Sequence, residues 1–412
     1  MNYYLRERQS AIIRHCKTQP KERMKHGKSI VMLFFLLSLC QIAFGQKRYN
    51  VQFNLSNGYI LNTFDTRNEM MESYMFPEAG WRIGYNTQPE DSNIYARAFG
   101  YPVIGLAVTY SGLGIVPYSG KSTLDNIVST YGFFERDLLR TSHFFLGYDL
   151  GIGLGFNTSV YNPNDNTLNL NFSSPLLIYI RLGAKGKYRL NEHLELNASA
   201  AFAHYSTGRL AFPNNGLNSM VLELGMRYDF TSKPQKKHFA NYERTKPSLF
   251  GEIYYGGGMH RCRQEWMVYN TTHPWASYTA GANINLRYLP HMSTGIGFDV
   301  FYDTKGFLSR IEHVERVLYG DEAVDNGPGY KKRSYGICLM QQFHYGNFTL
   351  FGGYGIYVYR HIGLHEQKGA TYQRAGIKYV FPRLANVFVA IDCKAHHFSH
   401  AALIEFTTGI RL

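Results

Sequence analysis

Leu194-Glu195-Leu196-Asn197-Ala198-Ser199-Ala200-Ala201-Phe202 alternates two chemistries: Leu194, Leu196, Ala198, Ala200 and Phe202 share one face of an extended chain, and Glu195, Asn197 and Ser199 share the other. Period two identifies a strand with one apolar and one polar face. The same pattern recurs along the chain. Before Phe230 it predicts strands near 49–58, 79–88, 101–112, 125–138, 143–155, 176–188, 193–206 and 217–230. A second set is expected near 248–258, 276–288, 292–303, 334–345, 347–360, 371–381, 386–397 and 402–412. After the N-terminal region no stretch reaches the roughly 20 apolar residues of a membrane-spanning helix. If the chain spans a membrane it must therefore do so as a closed barrel, in which no backbone group is left unpaired in lipid. Aromatic residues make up 16% of the chain and its 40 glycines are scattered through the alternating segments rather than gathered in linkers, which suits an all-β antiparallel transmembrane barrel.

The connections alternate in length. Leu139–Ser142 and Arg189–Glu192 are tight, whereas 157–175 and 207–216 are long and rich in Asn, Pro and Ser. Barrels place short turns in the periplasm and long loops outside, which orients both termini inward. The stretch 88–100 is the exception, being long where a short turn is expected. The loop 303–333 carries Ile311, Val314, Val317 and Leu318 at helical spacing and predicts one short amphipathic helix on the barrel rim.

The two sets of strands read as copies. Arg181-x-Gly183-x-Lys185 recurs as Arg374-x-Gly376-x-Lys378, and Gly225-Met226-Arg227-Tyr228 as Gly409-Ile410-Arg411-Leu412, at matching places in the last three strands. Between them lies a basic stretch with Lys233, Lys236, Lys237, Arg244 and Lys246, long for a hairpin turn. The expected organisation is a leader over 1–45, an eight-stranded barrel over 46–231, a linker over 232–246 and a second eight-stranded unit over 247–412. The alternative is one sixteen-stranded barrel. The choice bears on function, since eight strands leave an interior filled by side chains and sixteen enclose a channel.

Lys28, the apolar run Ile30 to Leu37 and the small-x-small site Ala43-Phe44-Gly45 form a Sec signal, so Gln46 is expected to begin the mature chain in the outer membrane. Met24 stands just before this signal as an alternative start, and Leu39 before Cys40 argues against lipoprotein processing. The first 45 residues hold eight basic and two acidic side chains, leaving +7 of the chain's +13, a surplus compatible with anionic lipid phosphates. Only Cys262, Cys338 and Cys393 remain, widely separated, and His260, His291 and His313 show no ligand spacing. No metal, cofactor or nucleic-acid partner is implied.

The chemistry is concentrated in Ala203-His204-Tyr205-Ser206-Thr207-Gly208-Arg209-Leu210-Ala211-Phe212-Pro213-Asn214-Asn215-Gly216-Leu217-Asn218. By parity His204 and Ser206 continue the lipid face of Phe202, and Asn218 tops that of Met220, Leu222, Leu224 and Met226. Three polar side chains thus crown an apolar wall at its outer-leaflet end, where lipid A resides. A Ser hydroxyl beside an imidazole becomes a nucleophile when the His takes its proton, and a third group must orient the ring.

His204-x-Ser206, with Pro213-Asn214-Asn215-Gly216 and Asn218, resembles the lipid A 3-O-deacylases, eight-stranded outer-membrane barrels that cleave an ester-linked acyl chain from lipid A. The resemblance implies that Ser206 is the nucleophile, His204 the general base, Asn214 an oxyanion donor, and Asn218 the stand-in for the family's orienting Glu. Thr207, which replaces the Asn that follows the serine in the family, is expected beside Asn214 among the oxyanion- or substrate-binding residues. The neutral Asn218 holds the ring without an ion pair, which implies slower or differently targeted chemistry.

In the second unit His397-Phe398-Ser399 echoes the pair on the face of Val389, Ile391, Cys393 and Ala395. It lacks a Pro-Asn-x-Gly loop, and Ala402 stands where Asn218 does, so this copy is expected to be silent. The competing function is a non-catalytic scaffold, or a pore if all sixteen strands close together.

Overall fold

The computed structural model describes residues 48–61, 75–89, 93–116, 122–230, 246–307, 309–327, 329–361, 369–398 and 400–412. The signal over 1–45 and the linker, apart from Lys246, lie outside them. Strands β1 (Tyr49–Ile60), β2 (Met75–Asn86), β3 (Val103–Ser111), β4 (Ile127–Arg140), β5 (Phe144–Asn157), β6 (Leu176–Arg189), β7 (Leu194–Ser206) and β8 (Leu217–Asp229) pair antiparallel in sequence order. β8 returns to β1, from Asn50↔Asp229 to Ile60↔Ser219, and closes barrel 1. Barrel 2 comprises β9 (Ser248–His260), β10 (Trp275–Leu289), β11 (Met292–Asp303), β12 (Arg333–Tyr345), β13 (Phe348–Tyr359), β14 (Thr371–Phe381), β15 (Val387–His396) and β16 (His400–Arg411). It closes by pairing of β16 with β9. Two tandem barrels are therefore the architecture, and the single sixteen-stranded alternative is set aside.

β2 begins at Met75, ahead of the expected 79. Pro77, near the strand's start, withholds one donor, and the register with β1 runs through it at Asn57↔Pro77. Among the described residues the loop 303–333 holds two α-helices rather than one, α3 (Ser309–Tyr319) and α4 (Asp321–Asp325), after a 3-10 turn at Thr304–Phe307 and separated at Gly320 with φ +89°. Ile311 and Val314 are buried there, whereas Val317 is 56% exposed, so the apolar stripe is narrower than its spacing implies. A further rim helix, α2 (Arg263–Tyr269), follows β9.

The outer faces remain apolar, with Leu224 70% and Ile284 63% exposed to what is lipid in the membrane. The interiors are filled by charge pairs, and these account for the repeated motifs. Arg181 Nε and Nη2 meet Asp149 and Glu223 at 3.2 Å each, and Lys185 meets Glu135 at 2.7 Å. In barrel 2 Arg374 meets Asp299 at 3.0 Å and Asp392 at 2.8 Å, and Lys378 meets Glu252 at 2.6 Å. The final arginines join the same networks, Arg227 to Glu135 at 2.5 Å and Arg411 to Glu252 at 2.9 Å. Buried charges persist only when paired, so each barrel encloses a plug of ion pairs rather than a water-filled channel.

The anomalous periplasmic stretch folds as α1 (Ile94–Ala98), capped by Asn93, whose side chain accepts from Tyr95 N at 2.9 Å and Ala96 N at 3.1 Å. Its flanking rings lean on barrel 2. Phe99 lies edge-on to His291 at 4.8 Å between centroids, and Tyr95, Phe99 and Phe134 all lie within 6.3 Å of Tyr345. A long segment where a turn would suffice is thus a docking element between the barrels.

Candidate active site

β7 and β8 place His204 and Asn218 directly opposite each other across the ladder. Side chains so paired on one face lie within contact distance. His204 Nδ1–H donates to Asn218 Oδ1 at 2.6 Å. With its proton on Nδ1, the ring presents the Nε2 lone pair as an acceptor, the state required of a base for a serine hydroxyl.

Ser206 ends β7 two residues beyond His204 on the same face and is 8% exposed. Gly216 packs over both. It has φ +69°, and a β-carbon there would stand 3.4 Å from His204 Cε1, 3.5 Å from Ser206 Cβ and 2.9 Å from the Tyr205 carbonyl. A side chain at this position would be strained by the backbone and would collide with Tyr205 O. Among the described residues no hydrogen bond links Ser206 Oγ to His204 Nε2. Such bonds are commonly loose without substrate and tighten when it binds.

The loop from Thr207 to Gly216 is internally braced. Thr207 N–H donates to Asn214 Oδ1 at 2.9 Å, and Thr207 Oγ1–H to Ala211 O at 3.4 Å. Thr207 is therefore turned into the loop it supports. Asn214, its oxygen committed to Thr207, has its Nδ2 donors left for another acceptor. From the adjoining outer loop, Leu170 and Asn171 carbonyls accept from Asn215 N at 3.0 Å and Gly216 N at 3.3 Å. Gly216 ends the Pro213-Asn214-Asn215-Gly216 element read from the sequence, where Asn-Gly is a turn signal, whereas the carbonyls that hold it carry no sequence signal of their own.

The second copy is built differently. β15 stops at His396, and His397 and Phe398 turn away in left-handed conformations with φ +54° and +57°, so His397 does not continue the strand face. Phe398 is 79% exposed. Ser399 lies outside the described residues. Ala402 is buried beside Leu403, which pairs with Lys394.

Closed barrels with apolar outer faces, charged interiors and long loops at one end define an integral outer-membrane protein. Residues 79–227 match the family model described as "Lipid A 3-O-deacylase (PagL)", and residues 250–412 match "Acyloxyacyl hydrolase, C-terminal domain". The chain belongs to the PagL family and carries two domains of that type. No curated relative matches it. Among solved structures it is similar to Neisserial surface protein A, at 12% identity over 44% of this chain and 96% of that one, TM-score 0.31. It is similar to the outer membrane enzyme PagL at 17% identity over 42% and 97%, TM-score 0.29. Acinetobacter baumannii OccAB4 aligns at 11% identity over 89% and 98%, TM-score 0.25.

Proposed function

We propose that barrel 1 is a serine esterase that removes an ester-linked acyl chain from lipid A in the outer leaflet. The observation that carries this reading is the 2.6 Å hydrogen bond from His204 Nδ1 to Asn218 Oδ1 on the lipid-facing side, beside Ser206. Family membership supplies the substrate class, and the position at the outer end of lipid-facing strands agrees with it.

In this scheme His204 Nε2 takes the Ser206 proton as Oγ attacks the ester carbonyl. The oxyanion that forms is met by an N–H of Asn214 Nδ2. Collapse expels the sugar alkoxide, which receives the proton from His204 and leaves an acyl-Ser206. Water, deprotonated by His204, then attacks the acyl carbon, releasing the fatty acid and returning the proton to Ser206. Asn218 holds the ring throughout but lends no negative charge to the imidazolium, which makes each proton transfer slower than a carboxylate partner would. Thr207 serves the site by holding Asn214 rather than by touching substrate. The charge-filled interiors argue against the pore reading.

The test is mass spectrometry of lipid A from cells expressing the chain, beside cells expressing Ser206→Ala at equal outer-membrane abundance. Loss of one acyl mass only with the intact serine is expected. Identical spectra would discard the esterase and return the scaffold reading.

A further inference from the structure

The turn that follows the nucleophile carries backbone strain. Leu210 N–H donates to Thr207 O at 3.2 Å, and the two residues between them have positive φ, +62° at Gly208 and +70° at Arg209. Glycine adopts this conformation freely, but an arginine does so only when its surroundings hold it there.

Part of what holds it comes from barrel 2. Arg261, just beyond β9, donates its backbone N–H to Arg209 O at 3.1 Å and its Nε–H to Leu210 O at 2.8 Å. Arg261 is itself fixed, since its Nη1 donates to Thr272 O at 2.8 Å and to Thr272 Oγ1 at 3.0 Å. A planar guanidinium bound on two edges leaves little freedom to the carbonyl it grips.

Apolar contact reinforces the grip. A β-carbon on Gly208 would stand 2.7 Å from Ile404 Cγ1 of β16 and 2.9 Å from Ile178 Cδ1 of β6, so only a bare backbone fits between the two barrels at this point. Nearby, Tyr161 Oη–H donates to Asn270 Oδ1 at 3.2 Å, and its ring lies edge-on to Trp266 of α2 at 6.1 Å. The catalytic loop is thus clamped between Leu170 and Asn171 of its own barrel and Arg261 and Ile404 of the other.

We propose that barrel 2 is the positioning partner of the barrel 1 site, with Arg261 as the residue that holds the strained turn after Ser206 in its productive geometry. The proposal rests on the esterase reading for its catalytic consequence, but not for its structural one. Arg261 does not touch the reacting atoms; it acts through the Thr207–Leu210 turn.

The experiment uses the full chain, folded in detergent micelles, with heat-modifiable electrophoretic mobility confirming closed barrels. Arg261→Ala should lower kcat on lipid A by about ten- to a hundredfold while KM stays within about twofold, since a small misplacement of catalytic groups carries costs of that order. Amide exchange over residues 207–216 should rise about tenfold as the turn opens locally. Arg261→Lys, which keeps the backbone donor and a cation but not the fork, should recover part of both losses. Thr272→Val, which removes one brace of Arg261 and leaves the arginine in place, should shift both readouts in the same direction by less, and it carries the test if Arg261→Ala fails to fold.

Wild-type exchange over 207–216 in Arg261→Ala and Thr272→Val overturns the proposal, as does wild-type kcat in Arg261→Ala. If the unaltered chain has no Ser206-dependent deacylase activity, the esterase reading fails, and exchange alone then decides whether Arg261 holds the turn.

Discussion

The outer ends of β7–β8 and β15–β16 occupy equivalent places in two barrels of one family, yet only the first is built as a site. Inside, the barrels agree: Arg181 and Arg374 grip paired acids, and Lys185 and Lys378 each reach a glutamate. They diverge at the rim. Barrel 1 keeps His204 on the strand face, opposite Asn218. Barrel 2 ends its strand at His396 and turns His397 away. The lesson is that the interior network specifies the barrel, whereas bringing His204, Ser206 and Asn218 together under Gly216 needs one loop long enough to fold back over a strand end.

That comparison is most exposed to test at the nucleophile. Ser206→Ala should abolish lipid A deacylation by about a thousandfold or more, the scale on which serine hydrolases lose turnover with the nucleophile. His397→Ala should leave activity unchanged. A comparable loss from His397→Ala would mean that the second barrel takes part in the chemistry and would collapse the contrast between the two rims.

Next in size is the prediction that the repeated arginine is structural in both interiors. Arg181→Ala leaves Asp149 and Glu223 with Arg82 as their remaining cation, whereas Arg374→Ala leaves Asp299 and Asp392 with hydroxyl partners from Tyr254, Tyr372 and Thr407. Breaking a buried pair by removing one partner costs about 3–5 kcal/mol. Each variant should lower the unfolding midpoint in urea, Arg374→Ala by more because Arg82 stays with the acids of barrel 1, as followed by tryptophan fluorescence and gel mobility. A loss confined to one variant would show that the repeated motif is structural in only one barrel.

A smaller effect is expected at the ring-orienting position. Asn218→Ala removes the acceptor from His204 Nδ1 and should cost roughly ten- to a hundredfold in kcat by releasing the ring. Asn218→Asp supplies the charge that Asn lacks and should raise kcat a few-fold, on the order of what an added ion pair to a developing imidazolium contributes. If Asp leaves kcat unchanged while Ala lowers it, orientation rather than charge is what this position provides.

Much of this was legible in the chain. Period-two alternation located all sixteen strands, most to within two residues, because one face of each must meet lipid and the other the barrel interior. The pair His204 and Ser206 could be read by carrying that parity to the strand end. The contacts between barrels could not. Ile404 has the lipid-facing parity of any other outward isoleucine, and only the folded chain shows it against Gly208. Arg261 reads as one basic residue among several near Cys262. The length of the 88–100 segment signalled an irregularity, but the reason, the rings of His291 and Tyr345 far along the chain in barrel 2, is invisible to local pattern.

The last and smallest prediction concerns that periplasmic contact. His291 lies in the turn between β10 and β11, against Phe99 and facing the Arg136 guanidinium of barrel 1. Burial first, and the neighbouring cation second, push its imidazole below the ordinary value of 6.5. The docked state therefore prefers neutral His291. The sign follows: above 6.5 the ring is neutral whether or not the barrels are docked, and the contact is at full strength. As pH falls below that value the undocked state binds a proton first, and the contact weakens until the docked ring also titrates. The effect should be the smallest of those predicted here, since a single imidazole carries it. Amide exchange across α1 should quicken between neutral and mildly acidic pH, and His291→Phe should remove that dependence while keeping the edge-on contact. Exchange that quickens equally in the Phe variant would assign the pH response to another group and leave barrel docking insensitive to this histidine.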